Sequence, residues 1–165
     1  MRRILVVDDD PHVGVAIRAW LKRYGFGVSI ADGGGNGLAA LGRGNFDLMI
    51  VDIFMPNMHG LESIRVFHNH APAVPLIAIS GQAFSSLDAS GPDSPEMAVS
   101  LGATRCLRKP FRPATLLRLI DECLSEAGLH RKCVATPLAA AANALPEPQR
   151  RMKSVSGLRE DAFTA

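Results

Sequence analysis

Four sets of polar side chains that can handle divalent cations and phosphate each come directly after a short apolar run. In chain order they are Asp8-Asp9-Asp10, Asp52, Ser80 and Lys109, at the ends of the runs 4–7, 48–51, 76–79 and 106–108. Runs of this length are typical of strands that are buried on both faces, as in a parallel sheet covered by helices. Because open α/β sheets carry their sites just beyond the carboxyl ends of the strands, we expect these side chains to converge at one edge.

Carboxylates gathered in this way need a neutralising partner. Two like charges ~4 Å apart repel by ~4 kcal/mol at an effective dielectric constant near 20. A cluster of aspartates therefore shares protons or holds a cation, and Mg²⁺ is the natural candidate because it prefers a few carboxylates together with water and phosphate oxygens. An aspartate beside such an ion is also a competent nucleophile toward phosphorus and would form an aspartyl phosphate. Lys109 could then supply a positive charge to the product and Ser80 a hydrogen bond.

The elements that position these groups alternate between strand and helix five times. Strands are predicted at residues 4–7, 27–31, 46–52, 75–80 and 104–108, and helices from residue 11, around 38–44, and at 60–70, 96–101 and 113–127. Asp10 followed by Pro11 is a favoured pair for a helix start, and Gly25 is a typical stop. The buried face of the first helix is predicted to consist of Val13, Ile17, Trp20, Leu21 and Tyr24. Strands that alternate with helices indicate an α/β fold with right-handed crossovers.

Composition is typical of a globular protein: of 165 residues, 47% are hydrophobic and 21% are charged. No apolar stretch approaches the roughly 20 residues of a membrane-spanning helix, and the first residues lack the pattern of a secretory signal. The cysteines are Cys106, Cys123 and Cys133, which do not have the spacing of a metal site. We therefore expect a reduced, cytoplasmic protein.

Domain organisation is predicted from periodicity and charge. Residues 1–128 form one predicted domain with a net charge of −1, and residues 129–165 carry +3 and lose the helical periodicity. The second segment is predicted to be a tail of low order, too short for an ordinary effector domain. Residues 83–95, rich in Ser, Gly, Pro and Asp, are predicted to be a mobile loop.

Three segments together resemble a known family. Residues 51–60, Val-Asp-Ile-Phe-Met-Pro-Asn-Met-His-Gly, resemble the phosphorylation-site signature of the response-regulator receiver family. Residues 4–10 resemble the acidic pocket of that family, and residues 107–111 resemble its lysine–proline element. The resemblance covers residues 3–126 and implies a flavodoxin-like, doubly wound sheet of five parallel strands in the order 2-1-3-4-5, with helices on both faces.

The resemblance also implies a role for each residue of the site. Asp52 would accept a phosphoryl group from the phosphohistidine of a sensor histidine kinase or a histidine phosphotransfer protein. Mg²⁺ would be bound in the acidic pocket by Asp8, Asp9, Asp52 and the backbone carbonyl of Phe54. Ser80 and Lys109 would contact the phosphoryl group, and the bond before Pro110 would be cis.

Two positions depart from the family pattern. The family usually has an aromatic residue at position 106 whose movement reports phosphorylation; Cys106 cannot make the same movement, so this is an altered switch position. Phe54 is large and apolar where the family often has a polar residue, and we hypothesise that it shields the acyl phosphate from water.

The function that these patterns favour is a single-domain response regulator that signals by binding an unidentified downstream protein and is not a turnover enzyme. Nothing in the tail resembles a helix-turn-helix, so no direct DNA binding is expected. One alternative is a pseudo-receiver or scaffold. Another is a haloacid-dehalogenase-like phosphatase, since residues 8–10 satisfy an Asp-x-Asp motif; that family needs a further acidic pair at a strand end, whereas Asp121 and Glu122 fall within a predicted helix.

Overall fold

Five strands and five helices alternate along the part of the chain that the computed structural model describes, which is residues 1–58, 60–81 and 94–134, with only the backbone described from 129. The strands are β1 (Arg3–Val7), β2 (Gly27–Ala31), β3 (Leu48–Asp52), β4 (Leu76–Ser80) and β5 (Arg105–Arg108). The helices are α1 (Pro11–Arg23), α2 (Gly34–Arg43), α3 (Glu62–His70), α4 (Pro95–Ser100) and α5 (Pro113–Val134). Most of the predicted loop at 83–95 and most of the predicted tail lie outside the described residues.

The sheet is parallel throughout and has the order β2-β1-β3-β4-β5, which confirms the predicted fold. The strand order reverses direction at β1, which pairs with β2 on one side and with β3 on the other. Val7 and Val51 are partners in the register of β1 and β3. The residues that follow them, Asp8 and Asp52, therefore leave the sheet side by side at its carboxyl edge.

The core lies in two layers, one on each face of the sheet, because successive strand residues point in opposite directions. Leu5, Val7, Met49 and Val51 pack on one face with residues of α2, α3 and α4, including the fully buried Phe67. On the other face, a second set packs with α1 and α5: Ile4, Val6, Leu48, Ile50, Ile17, Leu21 and Ile120. All five residues of β3 and of β4 are buried, which explains why their sequences are continuous apolar runs.

Several predicted boundaries shift by a few residues. Asp10 caps α1 as expected, and its carboxylate accepts a hydrogen bond of 2.8 Å from the backbone amide of His12. The prediction that Tyr24 lies on the buried face is wrong, because α1 ends at Arg23 and Tyr24 is 65% exposed. The predicted loop ends earlier than residue 95, since Ser94 caps α4 and Pro95 is its first residue.

The last helix runs to Val134, seven residues beyond its predicted end. Among the described helices, none is both long enough and apolar enough to cross a lipid bilayer.

Candidate functional site

The predicted site residues meet at the carboxyl edge of the sheet. Asp8 follows β1, Asp52 is the last residue of β3, Ser80 is the last residue of β4, and Lys109 follows β5. The backbone amide of Lys109 donates a hydrogen bond of 2.7 Å to the carbonyl of Ser80, which holds the ends of β4 and β5 together. The fold therefore brings together residues that are up to 101 positions apart in the sequence.

Three carboxylates form a cluster at this edge. Asp8, Asp9 and Asp52 each place an oxygen atom within 4.8 Å of the oxygen atoms of the other two. Asp8 and Asp52 are 3% and 7% exposed, whereas Asp9 is open to solvent. Hard oxygen atoms of this kind, with one side open to water, fit Mg²⁺, which keeps several water ligands when it binds to proteins.

Each of the two buried carboxylates is oriented by a backbone amide two residues further along the chain. The amide of Asp10 donates to Oδ1 of Asp8 at 2.9 Å, and the amide of Phe54 donates to Oδ1 of Asp52 at 2.8 Å. Such local turns are typical of aspartate because its side chain is short enough to bond to its own backbone. The Oδ2 atoms of both residues are thereby directed to a common partner.

That partner is the ammonium group of Lys109. Its Nζ atom lies 2.9 Å from Oδ2 of Asp8 and 2.6 Å from Oδ2 of Asp52. The side chain of Lys109 is 23% exposed, so solvent screens these ion pairs less than it would at an open surface. Lysine thus partly neutralises a cluster that would otherwise hold like charges only.

The pKa values of the cluster follow from burial and from these contacts. Burial raises the pKa of Asp8 and outweighs the hydrogen bonds from Lys109 and from the amide of Asp10, which act in the opposite direction. For Lys109, burial lowers the pKa, but its hydrogen bonds to Asp52 and Asp8 prevail, so the pKa is raised. The lysine therefore stays positively charged at neutral pH, where a phosphoryl group would need a positive partner.

The remaining predicted residues lie around the cluster. Ser80 is fully buried. Phe54 is 40% exposed, and its backbone amide donates a hydrogen bond to Asp52. The Lys109–Pro110 peptide bond is cis. Cys106 is half-buried, with its Sγ atom 3.9 Å from the carbonyl of Pro95 at the start of α4. Burial, together with the charge of Glu96, raises the pKa of the Cys106 thiol to about 11, so it is protonated at neutral pH.

Sequence reasoning missed a contact beside the cluster. The glycines at 33–35 lie at the start of α2, and a Cβ atom on Gly34 would lie 2.7 Å from the side chain of Met58. The loop after β2 therefore packs closely against the loop after β3, which follows Asp52. The glycine run alone does not indicate its packing partner, because the two loops come together only in the folded protein.

The acidic pair that a haloacid-dehalogenase-like phosphatase would need is not at this site. Asp121 and Glu122 lie in the middle of α5, and Glu122 pairs with Arg105 and Arg118. Among the described residues, the carboxylates that gather near Lys109 are those of the cluster.

Comparison with known proteins decides between the families. The sequence profile of the response regulator receiver domain matches residues 4–121, a range that contains all the residues of the cluster. The chain belongs to the response regulator receiver family. Receiver domains are signalling switches of two-component systems, and they bind Mg²⁺ at an acidic pocket.

Individual relatives agree with this assignment. The protein PilH of Pseudomonas aeruginosa is 31% identical over 127 residues, which cover 76% of this chain and 99% of PilH. A CheY-like receiver domain protein of Methanospirillum hungatei has 33% identity and a TM-score of 0.69, with 79% of this chain and 98% of that chain covered. TrrA of Thermotoga maritima, solved in complex with Mg²⁺ and BeF, has 26% identity and a TM-score of 0.63, with coverage of 74% and 99%.

Other curated relatives are considerably longer than the region that matches. The chain spans about half the length, or less, of several proteins named as transcriptional regulators, with shares from 29% to 55%. What those proteins share with this chain is therefore the receiver domain.

Proposed function

We propose that this chain is a response regulator whose Asp52 accepts a phosphoryl group from a phosphohistidine of a sensor histidine kinase or a histidine phosphotransfer protein. The observation that carries the proposal is the position of the Asp52 carboxylate, which is buried at the end of β3 between the ammonium of Lys109 and the other carboxylates. The phosphorylated form then signals by binding a downstream protein.

The transfer requires one bond to form and one to break. A carboxylate oxygen of Asp52 attacks phosphorus, the bond between phosphorus and the donor imidazole nitrogen breaks, and that nitrogen takes up a proton. Mg²⁺, when bound, offsets the negative charge of the phosphoryl group and of the carboxylates. Lys109 provides a second positive charge from the side of β5, and Ser80 a hydrogen bond from the end of β4.

The proposed ligands of Mg²⁺ are Asp8, Asp9, Asp52 and the backbone carbonyl of Phe54. Support comes from the three clustered carboxylates and from TrrA, a structural relative solved with Mg²⁺ and BeF. The partly exposed cluster leaves room for water ligands, which Mg²⁺ usually keeps.

Output through protein contacts, without direct DNA binding, is the form of signalling that we propose. It is supported by the similarity to PilH, 99% of which is covered by the match with this chain. The longer relatives named as transcriptional regulators make DNA binding the alternative to be tested.

A second candidate function is that of a pseudo-receiver, which keeps the fold but no longer reports phosphorylation. Cys106 favours it, because this thiol stands where the family usually has an aromatic switch residue and its contact is with the carbonyl of Pro95.

Intact-mass spectrometry after incubation with acetyl phosphate and Mg²⁺ tests the proposal. We expect the wild type to gain one phosphoryl group and Asp52→Asn to gain none. Asp121→Asn, which removes an exposed aspartate on α5, is the matched control and should behave like the wild type. Lack of labelling in the wild type would favour the pseudo-receiver, and labelling that survives Asp52→Asn would place the acceptor at another residue.

A further inference from the structure

The outer face of α1 is apolar in its first part and basic at its end. Val15 is 51% exposed, Ala19 is exposed one turn further along, and Lys22 and Arg23 are exposed in the last turn. The sequence of α1 contains no aspartate or glutamate. Among the side chains that the structure describes, neither Lys22 nor Arg23 has an ion-pair partner, so this end of the face carries positive charge that is not neutralised there.

The outer face of α5 has the same order of apolar and charged residues, with the opposite charge. Ala114 and Leu117 lie near the start of the helix and Asp121 lies beyond them, along a shallow groove of about 660 Å³. The other two carboxylates of this groove are paired with Arg105 and Arg118. Asp121 is exposed and has no ion-pair partner among the described side chains, so it leaves the face with an excess of one negative charge.

The two helices lie side by side on one face of the sheet and run in the same direction. They contact each other, and Ile17 of α1 and Ile120 of α5 belong to the same layer of the core. α1 leads from the carboxyl end of β1 back to the start of β2. α5 begins beyond the carboxyl end of β5 and also runs back, because its Glu126 pairs with Arg105, the first residue of that strand. The apolar parts of both helices therefore lie toward the carboxyl edge of the sheet, and the charged parts lie further from it.

We propose that this protein associates with a second copy of itself through these two faces, with α1 of each copy against α5 of the other. A two-fold axis parallel to the helices and midway between them brings α1 of one copy opposite α5 of the second copy at the same height. The reverse contact forms at the same time, so the pair is closed and symmetric. The proposal does not depend on phosphorylation of Asp52, and labelling of Asp52 by acetyl phosphate requires only one copy.

The spacing along the helices agrees with this pairing. Lys22 lies seven positions after Val15, which is about 10 Å at a rise of ~1.5 Å per residue. On α5, Asp121 and Glu126 lie four and nine positions after Leu117, or about 6 Å and 14 Å. When Val15 and Leu117 are level, the ammonium of Lys22 therefore lies between the heights of two carboxylates of the second copy.

A two-fold axis across the helices would not give this match. It would place α1 against α1 and α5 against α5, so that basic residues shared one contact and acidic residues the other. Like charges at close range repel, and the charge distribution therefore selects the axis that runs along the helices.

Sedimentation equilibrium of the full chain tests the proposal. We expect a monomer–dimer equilibrium in the wild type that shifts toward monomer as the salt concentration rises. Lys22→Glu and Asp121→Lys should each raise the dissociation constant about tenfold, because either change puts two pairs of like charges into the symmetric dimer. The double variant, which exchanges the two charges, should return the dissociation constant toward the wild-type value.

A mixture of the two single variants gives the sharpest result. A dimer of one Lys22→Glu chain and one Asp121→Lys chain has one native contact and one exchanged contact, both with opposite charges. The mixture should therefore associate more tightly than either variant alone. Arg43→Glu is the matched control and should associate like the wild type, because Arg43 is also an exposed basic residue in the last turn of a helix, but α2 packs on the opposite face of the sheet.

Four results would each overturn the proposal. One is a wild type that stays monomeric at every concentration, and another is a pair of single variants that associate as tightly as the wild type. The third is a double variant that stays as weak as the single variants. The fourth is a mixture that associates no more tightly than its components.

Discussion

Phe54 lies two residues after Asp52, the proposed phosphoacceptor. Its backbone amide is bonded to Asp52, its side chain is 40% exposed, and its ring packs near Gly60. If the ring shields an acyl phosphate from water, Phe54→Asn should shorten the lifetime of the phosphorylated form several-fold. The decay of the phosphorylated mass after removal of acetyl phosphate measures this, and equal lifetimes in the two proteins would rule out shielding.

The thiol of Cys106 should be unreactive toward alkylating reagents at neutral pH. The pKa of its thiol is about 11, and the pKa of the buried Cys123 is also about 11, in both cases chiefly because of burial. Since only the thiolate reacts, alkylation by iodoacetamide should be slow at pH 7.5 and should rise about tenfold per pH unit toward pH 11. Peptide mapping follows both sites, with protein unfolded in urea as the control; rapid reaction of folded Cys106 at pH 7.5 would contradict the burial argument.

The same thiols make stability depend on pH. In the unfolded chain they ionise near the ordinary value of 9.0, whereas in the folded protein they hold their protons to about 11. The folded state therefore binds more protons in this window, and the free energy of unfolding should fall as the pH rises from 9 to 11. Urea unfolding at a series of pH values checks the sign; the fall should be smaller in Cys106→Ser.

Single residues of the site were located by sequence because each comes directly after an apolar run. Asp52 and Ser80 end β3 and β4, and Lys109 follows β5, as the patterns predicted. The sequence could not show that Lys109 bonds to Asp8 and Asp52 at the same time, because that contact depends on how three strands are ordered and registered. The functional roles of these residues stay predictions.

At the scale of elements, the turn between α4 and β5 lies so close to α3 that it requires a glycine at position 102. Gly102 has a φ of +112°, and a Cβ atom there would clash with the side chain of His68. Gly102→Ala should therefore lower the free energy of unfolding by about 2 kcal/mol or more, from backbone strain together with the clash. Adding His68→Ala should recover only the part of the loss that is due to the imidazole ring, because the Cβ atom of residue 68 stays 2.7 Å away. Urea unfolding of the two single variants and the double variant measures this part.

Gly42 provides the matched control for that substitution. It lies in α2, is exposed and would place its Cβ atom in open space. Gly42→Ala should raise stability by about 0.5–1 kcal/mol, because alanine favours the helix more than glycine does. A similar gain from Gly102→Ala would show that the turn is not constrained as described.

Element types were predictable from periodicity, whereas their ends were not. Phe46 was assigned to the third strand because it is apolar, and it is indeed buried, yet β3 begins at Leu48. Tyr24 continues the spacing of α1, but it follows the last helical residue and turns to solvent. Phe46 is buried without belonging to the strand, and Tyr24 keeps the helical spacing without being helical or buried, so a hydrophobic pattern does not fix where an element ends.

At the scale of the whole molecule, the acidic cluster should link stability to Mg²⁺. A ligand that binds only the folded state at a hundred times its dissociation constant adds about 2.7 kcal/mol to the free energy of unfolding. We expect a gain of this order in the wild type, measured by urea unfolding with saturating Mg²⁺ and with chelator. Asp9→Asn should lose most of the gain, because Asp9 is one of the three clustered carboxylates.

Asp10→Asn is the control for this measurement. Asp10 is next to Asp9 but caps α1, a position where asparagine serves nearly as well, so the variant should keep the response to Mg²⁺. If both variants responded like the wild type, Asp9 would not be part of the metal site.

The wide separation of the site residues along the chain has a consequence for protein synthesis. Lys109 is the last of them to leave the ribosome, 101 positions after Asp8 and 57 after Asp52. A nascent chain that has released only the first four strands would bring Asp8 and Asp52 together without the ammonium that joins them. The residue after β5, the last strand to be made, thus supplies the positive charge that balances the carboxylates at the ends of β1 and β3. This balance favours closure of the sheet only once the whole receiver has emerged.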